Sequence, residues 1–255
     1  MRRRIEAYAA LLLLVASGAG VVHHFWAASS TWRWDLPPGF PEPRVPADNP
    51  MSHAKVELGR RLFYDKRLSN NQTQSCASCH KQERGFTDGR AHAIGSTGQM
   101  HRRNSMTLTN VAYGSRLTWA HPLLDRIEDQ VLLPMFGDAP IELGLPDSET
   151  LIARLRSDSD YVVRFTTAFP QDDDPITIGN VTRALACFVR TLISGNSAYD
   201  RYTRGDQRAL SDAAQRGMVL FFSERLECFH CHGNFNFADA VDHTKLPEPE
   251  RAFHN

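Results

Sequence analysis

The sequence predicts an all-α fold built from two similar units. Apolar residues recur three and four positions apart in several segments, the period of a helix with one buried face, and strand-like alternation is nearly absent. Gly59-Arg60-Arg61-Leu62-Phe63 precedes one Cys-x-x-Cys-His motif, and Gly217-Met218-Val219-Leu220-Phe221 precedes another. The spacer shortens from 17 positions between Gly59 and Cys76 to 11 between Gly217 and Cys228, so the repeat is one of architecture more than of detailed sequence.

The elements follow in order. Arg2, Arg3 and Arg4 lead into an apolar run over 7–22 and small residues at Ala27 and Ala28, the layout of a secretory signal peptide. Residues 1–28 are therefore expected to direct export to the periplasm. The run is short of the roughly 20 residues a membrane span needs; an uncleaved N-terminal anchor is the alternative, and the only route to a membrane. Pro37, Pro38, Pro41, Pro43 and Pro46 remove backbone donors, so 29–49 reads as an extended lead-in. From Ser52, residues Val56, Leu58, Leu62 and Phe63 set a helical period that stops at the polar run 69–75, directly before the first motif. Gly85, Gly89, Gly95 and Gly98 break the periodicity of 85–104, a loop long enough to expect a function of it. Helical patterning returns at 123–133, 149–155 and 161–169, and most strongly at 178–193. The two units are expected to span 50–176 and 177–255.

Bulk composition excludes some classes. Basic and acidic residues balance at 29 each, so no global field marks a nucleic-acid binder. Of five cysteines, four sit in the two motifs, which argues against a disulfide framework. Cys187 lies in an apolar run, Ala184-Leu185-Ala186-Cys187-Phe188-Val189, and reads as a small buried hydrophobe.

The motifs are Cys76-Ala77-Ser78-Cys79-His80 and Cys228-Phe229-His230-Cys231-His232. In a helical turn, thiols at i and i+3 share a face and can reach the two vinyl groups of a haem while the imidazole at i+4 points at the iron. Cys76, Cys79, Cys228 and Cys231 are thus expected to attach two c-type haems covalently, with His80 and His232 as proximal iron ligands. A zinc site made from the four thiols is the rival, but zinc requires neither a histidine after each pair nor export. A haem that only moves electrons has both axial positions filled, whereas one that activates peroxide keeps an open position beside an acid-base group. The motifs alone leave both roles open.

Further residues carry a resemblance. Leu58-Gly59-Arg60-Arg61-Leu62-Phe63-Tyr64-Asp65, Arg103-Asn104, Glu128-Asp129-Gln130 with Pro134, Arg183-Ala184-Leu185, Arg190-Thr191-Leu192 and Tyr199-Asp200-Arg201-Tyr202 make the chain resemble the bacterial di-haem cytochrome c peroxidase and MauG family over about residues 50–255. Gly95-Ser96-Thr97-Gly98, Pro134-Met135-Phe136-Gly137 and Phe221-Phe222-Ser223-Glu224-Arg225 look most like its MauG-related, MbnH-type branch. The resemblance implies two cytochrome c-like haem domains, N-terminal and peroxidatic at 50–176, C-terminal and electron-transferring at 177–255. The second is incomplete, because family members continue past Asn255 through a part that supplies the second haem's sixth ligand. It also implies an oxidoreductase that reduces hydrogen peroxide at the first haem, with electrons from a small periplasmic cytochrome or cupredoxin, or that oxidises a tryptophan or tyrosine of a partner protein.

Carried over by position, Glu142 and Gln130 resemble the distal pair that handles peroxide protons, and Pro134 the proline shaping the same pocket. Trp119 resembles the tryptophan between the haems, and Asn104 an asparagine that gives an oxygen to calcium. Ser96 stands where many di-haem peroxidases have a displaceable distal histidine, which implies a five-coordinate first haem; His92 and His101 flank it as possible substitute ligands. A non-catalytic di-haem electron-transfer cytochrome is the alternative of a different class.

Overall fold

The computed structural model describes residues 32–118 and 123–250; the expected signal segment and Trp119 lie outside the described residues. The helices are α1 (His53–Tyr64), α2 (Cys76–Cys79), α3 (Ile127–Gln130), α4 (Leu132–Phe136), α5 (Ser148–Arg156), α6 (Ser159–Ala168), α7 (Ile178–Arg190), α8 (Ala198–Thr203) and α9 (Asp212–Phe221). Short 3-10 turns add Lys66–Leu68, Gln82–Arg84, Val111–Tyr113 and Cys228–His230. Among the described residues the only β pairing is isolated bridges, and the all-α expectation holds.

The core is organised on α7, capped by Thr177, whose side chain accepts the Asn180 amide. Val181, Ala184, Leu185, Ala186 and Cys187 are essentially buried, and α1 packs along them through Leu58, Leu62 and Phe63. The approach is close enough to dictate a residue: a Cβ on Gly59 would fall 1.9 Å from the Ala184 carbonyl oxygen. The second glycine of the repeat, Gly217, has nothing within 4 Å, so the two halves match in helix placement and not in packing. α6 lies against α1 and α5 against α6, and all share one apolar cluster with α7. No packing boundary therefore falls at 176/177.

Two expected helices are shorter than their patterns. Over 123–133 the chain becomes helical only at Ile127 and breaks at Val131, which places Pro134 in the first turn of α4, where its missing N–H costs no hydrogen bond. The 178–193 pattern ends at Arg190, and the Leu192 carbonyl accepts the Asn110 amide instead.

Over its described residues 32–49 the lead-in holds no helix or strand, only turns closed by Phe40 N–H to the Pro37 carbonyl and Asn49 N–H to the Pro46 carbonyl, and it straps the two halves together. The Tyr113 hydroxyl donates to the Pro41 carbonyl at 2.8 Å, and Phe40 and Tyr113 both pack edge-on against Phe235. Arg44 reaches Asp242 and the carbonyls of His243 and Leu246. Gly114 bridges Val241, completing the seam.

Candidate functional site

Each motif is held by its local chain. Arg154 of α5 donates to the carbonyls of Arg67, Ser69 and Asn70, fixing the polar run that delivers Cys76. The Ser75 amide is accepted by Ser78, Cys76 and Cys79 lie one helical turn apart, and His80 leaves the helix at its C-cap. His80 Nδ1 meets the Phe86 carbonyl at 2.9 Å, and His232 Nδ1 meets the Phe237 carbonyl at 3.2 Å. With Nδ1 donating, Nε2 keeps its lone pair, as a metal-binding histidine requires. Both carbonyls belong to phenylalanines in the left-handed region, Phe86 at φ 61° and Phe237 at φ 54°. A bulky residue adopts that conformation only where its surroundings impose it.

All four motif cysteines are free thiols. Burial pushes Cys76 up to about 12 and also raises Cys79, with Glu142 adding to both. Burial lowers His80, against the pull of the Phe86 and Met106 carbonyls, which favours the neutral, ligating imidazole. Thiols one turn apart beside an imidazole whose Nδ1 faces a backbone carbonyl fit a haem at each motif, and among the described residues no cluster of ion-holding side chains includes a motif cysteine. The surroundings differ: the first motif sits on the core, whereas Cys231 and His232 are exposed and Val219, Leu220, Phe222 and Leu226 present apolar surface nearby.

Glu142 is the best-anchored of the expected site residues. The Leu143 amide donates to the Pro134 carbonyl at 2.8 Å, and the Leu143 carbonyl accepts the Asn70 amide at 2.9 Å and the Ser96 hydroxyl at 3.1 Å. The Glu142 carbonyl accepts the Ser96 amide at 2.7 Å. Gln99 Oε1 accepts the Ile141 amide, and His101 Nε2 lies 3.3 Å from the Ile141 carbonyl. The chain on both sides of Glu142 is thus tied to the run before the first motif, to the hairpin after it and to α4. Gly95 permits the hairpin's approach, since a Cβ there would fall 1.9 Å from the Ile141 carbonyl oxygen. Burial raises the Glu142 carboxyl above its usual range, opposed only by His101, and its charge acts on both Cys76 and Cys79.

The structure brings Glu142, Pro134 and Ser96 together beside the first motif. Gln130 lies half-buried at the end of α3, four residues before Pro134. His92 Nδ1 is turned to the His101 carbonyl, so both flanking histidines are engaged with backbone. Asn104 is exposed just beyond the hairpin. Cys187 is buried, with its thiol pushed up to about 11 chiefly by that burial. A cleft of about 380 Å³ lies at the seam, but no motif residue lines it, and its Arg44, Arg126 and Arg190 are paired with Asp242, Asp48 and Glu128.

Sequence reasoning missed Asn70, Gln99 and the phenylalanines whose carbonyls face the histidine Nδ1 atoms. A signal for the last was present: a phenylalanine follows each motif histidine by six and five positions, after glycine in one case and asparagine in the other.

The family model for di-haem cytochrome c peroxidase matches residues 53–208. The chain belongs to that family. It is 32% identical to the methylamine utilization protein MauG of Methylophilus methylotrophus over 88% of this chain and 67% of that protein. It is 38% identical to the cytochrome-c peroxidase IdrP1 of Denitromonas iodatirespirans over 77% of this chain and 52% of the relative. Among solved structures, a MauG-like protein associated with microbial copper homeostasis matches with a TM-score of 0.83 and 49% identity, over 88% of this chain and 64% of that one. The chain therefore spans about half to two thirds of the length of these relatives. Membership makes haem the cofactor of the family.

Proposed function

We propose that the protein is the haem-bearing part of a periplasmic di-haem c-type peroxidase that reduces hydrogen peroxide at the His80 site. Its N-terminal haem domain is peroxidatic and its C-terminal one electron-transferring. The observation that carries the reading is Glu142: a half-buried carboxyl whose affinity for protons its partial burial raises, its backbone tied down on both sides, acting on both thiols of the first motif. Cys76 and Cys79 would attach one haem and Cys228 and Cys231 the other, with His80 and His232 as the histidines that would hold the irons, and the pair would supply one-electron redox chemistry.

Glu142 as carboxylate takes a proton from one peroxide oxygen and returns it to the other, so that water leaves. Gln130 orients the peroxide by hydrogen bonding, and Pro134 walls the pocket while its carbonyl holds the Glu142 loop. Trp119 couples the two haem sites, and Asn104 lends an oxygen to a calcium ion. With two electrons and two protons, peroxide becomes two waters. Ser96, hydrogen-bonded to the Glu142 loop, carries no ligand for the first iron and favours a second reading, MauG-like oxidation of a tryptophan or tyrosine on a partner protein.

The test is the optical and electron paramagnetic resonance spectrum of the oxidised, haem-loaded protein before and after one equivalent of hydrogen peroxide. A high-spin signal lost on adding peroxide is expected. Two low-spin haems that neither peroxide nor cyanide perturbs would replace this function with that of an electron carrier.

A further inference from the structure

We propose that the buried Glu128–Arg190 ion pair is a positioning device that holds the distal carboxyl of Glu142 in register with the first haem motif. The inference rests on the peroxidatic reading of Glu142 and extends it to residues that touch neither haem nor peroxide.

The pair is sealed. Glu128 is 5% exposed and Arg190 3%, and the guanidinium meets both carboxylate oxygens at 2.8 Å. Asn49, fully buried, donates to Glu128 Oε1 at 2.7 Å and to the Arg183 carbonyl at 3.1 Å, and accepts Lys55 Nζ at 3.1 Å. Burial alone would raise the Glu128 carboxyl, but the Arg190 fork and Asn49 outweigh it and hold the carboxyl ionised. Removing two charges from water costs more than filling the same space with apolar side chains, so stability alone does not account for the pair. A bidentate fork does supply orientation, because its two parallel bonds fix both separation and angle.

The elements it joins give that orientation a use. Arg190 ends α7, which packs on α1, the helix leading to Cys76. Glu128 lies in the first turn of α3, which passes through Val131 directly into α4. The carbonyls of Pro134 and Met135 in α4 accept the amides of Leu143 and Leu145, bracketing the residues after Glu142. The route from the helix pair behind the first motif to the distal carboxyl thus runs through apolar packing of α1 on α7, the fork, the continuous chain from α3 into α4, and the two hydrogen bonds from α4 to the Glu142 loop. Displacing a catalytic group by about 1 Å can cost on the order of a hundredfold in rate.

The experiment uses the haem-loaded full chain and reads the cyanide association rate from the Soret band, with thermal stability measured in parallel. Cyanide enters as the protonated acid and needs a base at the open face, so its rate reports Glu142. Glu142→Gln is expected to slow association; Glu128→Gln, which keeps size and the Asn49 contact, is expected to slow it about tenfold. The double variant is expected to be no slower than Glu142→Gln alone, since residues acting in series are not additive. A Glu128→Gln variant that binds cyanide at the parental rate, or that slows it by the same factor when Glu142 is already glutamine, overturns the positioning role. If Glu142→Gln itself leaves the rate unchanged, the peroxidatic reading of Glu142 falls instead, so the two failures are separable. Should Glu128→Gln not take up haem, Arg190→Lys, which keeps the charge but loses the fork, is read by the same criteria.

Discussion

Gly59→Ala tests the packing that places the first motif. An added Cβ would lie 1.9 Å from the Ala184 carbonyl oxygen, 2.6 Å from its carbon and 2.9 Å from Phe188 Cβ. To restore a tight contact of about 3.3 Å, α1 and α7 must part by roughly 1.4 Å. Overpacking of this kind costs about 1–3 kcal/mol, and the upper figure applies because the obstructing atoms are backbone, not the end of a flexible side chain. Alanine recovers about 1 kcal/mol of helix propensity, leaving a net loss near 2 kcal/mol. Gly217→Ala in α9 is the internal control. With nothing within 4 Å of its Cβ, the same chemical change should stabilise by about 0.5–1 kcal/mol. Urea unfolding measures both, as shifts in midpoint at unchanged slope. A Gly59→Ala protein as stable as its parent would refute the argument, since it would mean that the α1–α7 contact yields freely.

Two further predictions concern protons. The peroxide reaction should weaken as pH falls, along a limb above the ordinary carboxylate range of about 4.3, because burial raises Glu142 and its protonated form cannot accept the peroxide proton; a limb that survives in Glu142→Gln rules this assignment out. Asp65 runs the other way. Burial would raise it, but Arg67 and the Tyr161 hydroxyl at 2.6 Å prevail and lower it, so its contribution to stability is full above its unfolded pKa and is lost as pH falls through the folded one. Tyr161→Phe should therefore cost about 1–2 kcal/mol at neutral pH and lessen the acid sensitivity of unfolding, and an unchanged acid limb would count against the pairing.

What the sequence made legible was local. The period of Leu58, Leu62 and Phe63 gave α1, and that of Val181, Ala184, Leu185 and Phe188 gave α7, because one buried face per helix leaves its mark every three to four residues. The two Cys-x-x-Cys-His motifs were legible because their thiols and imidazole recur at one fixed spacing. The break at Val131 was not, since it depends on where Pro134 can be tolerated within a first turn. Nor was the placement of α7 in the same core as α1, which joins residues more than a hundred positions apart. Glu142 was reached only through resemblance. The bonds that make its surroundings come from Asn70, Ser96, Gln99 and His101, residue types common in any loop.

The two motifs separate what is encoded in a short stretch from what must be assembled. At both, a phenylalanine in the left-handed region five or six residues after the motif histidine turns its carbonyl to the Nδ1, although one site is half-buried against the core and the other exposed. The geometry at the histidine therefore survives a large change in surroundings, because the turn that creates it is closed within a few residues. The distal side has no such independence: the Glu142 loop is joined to the run at 69–75, to the hairpin at 93–103 and, through α4 and α3, to Arg190 at the end of α7. Two motifs with the same residues can thus stand in different settings, since the histidine's donor bond comes with the motif while the Glu142 carboxyl is placed only where distant segments converge.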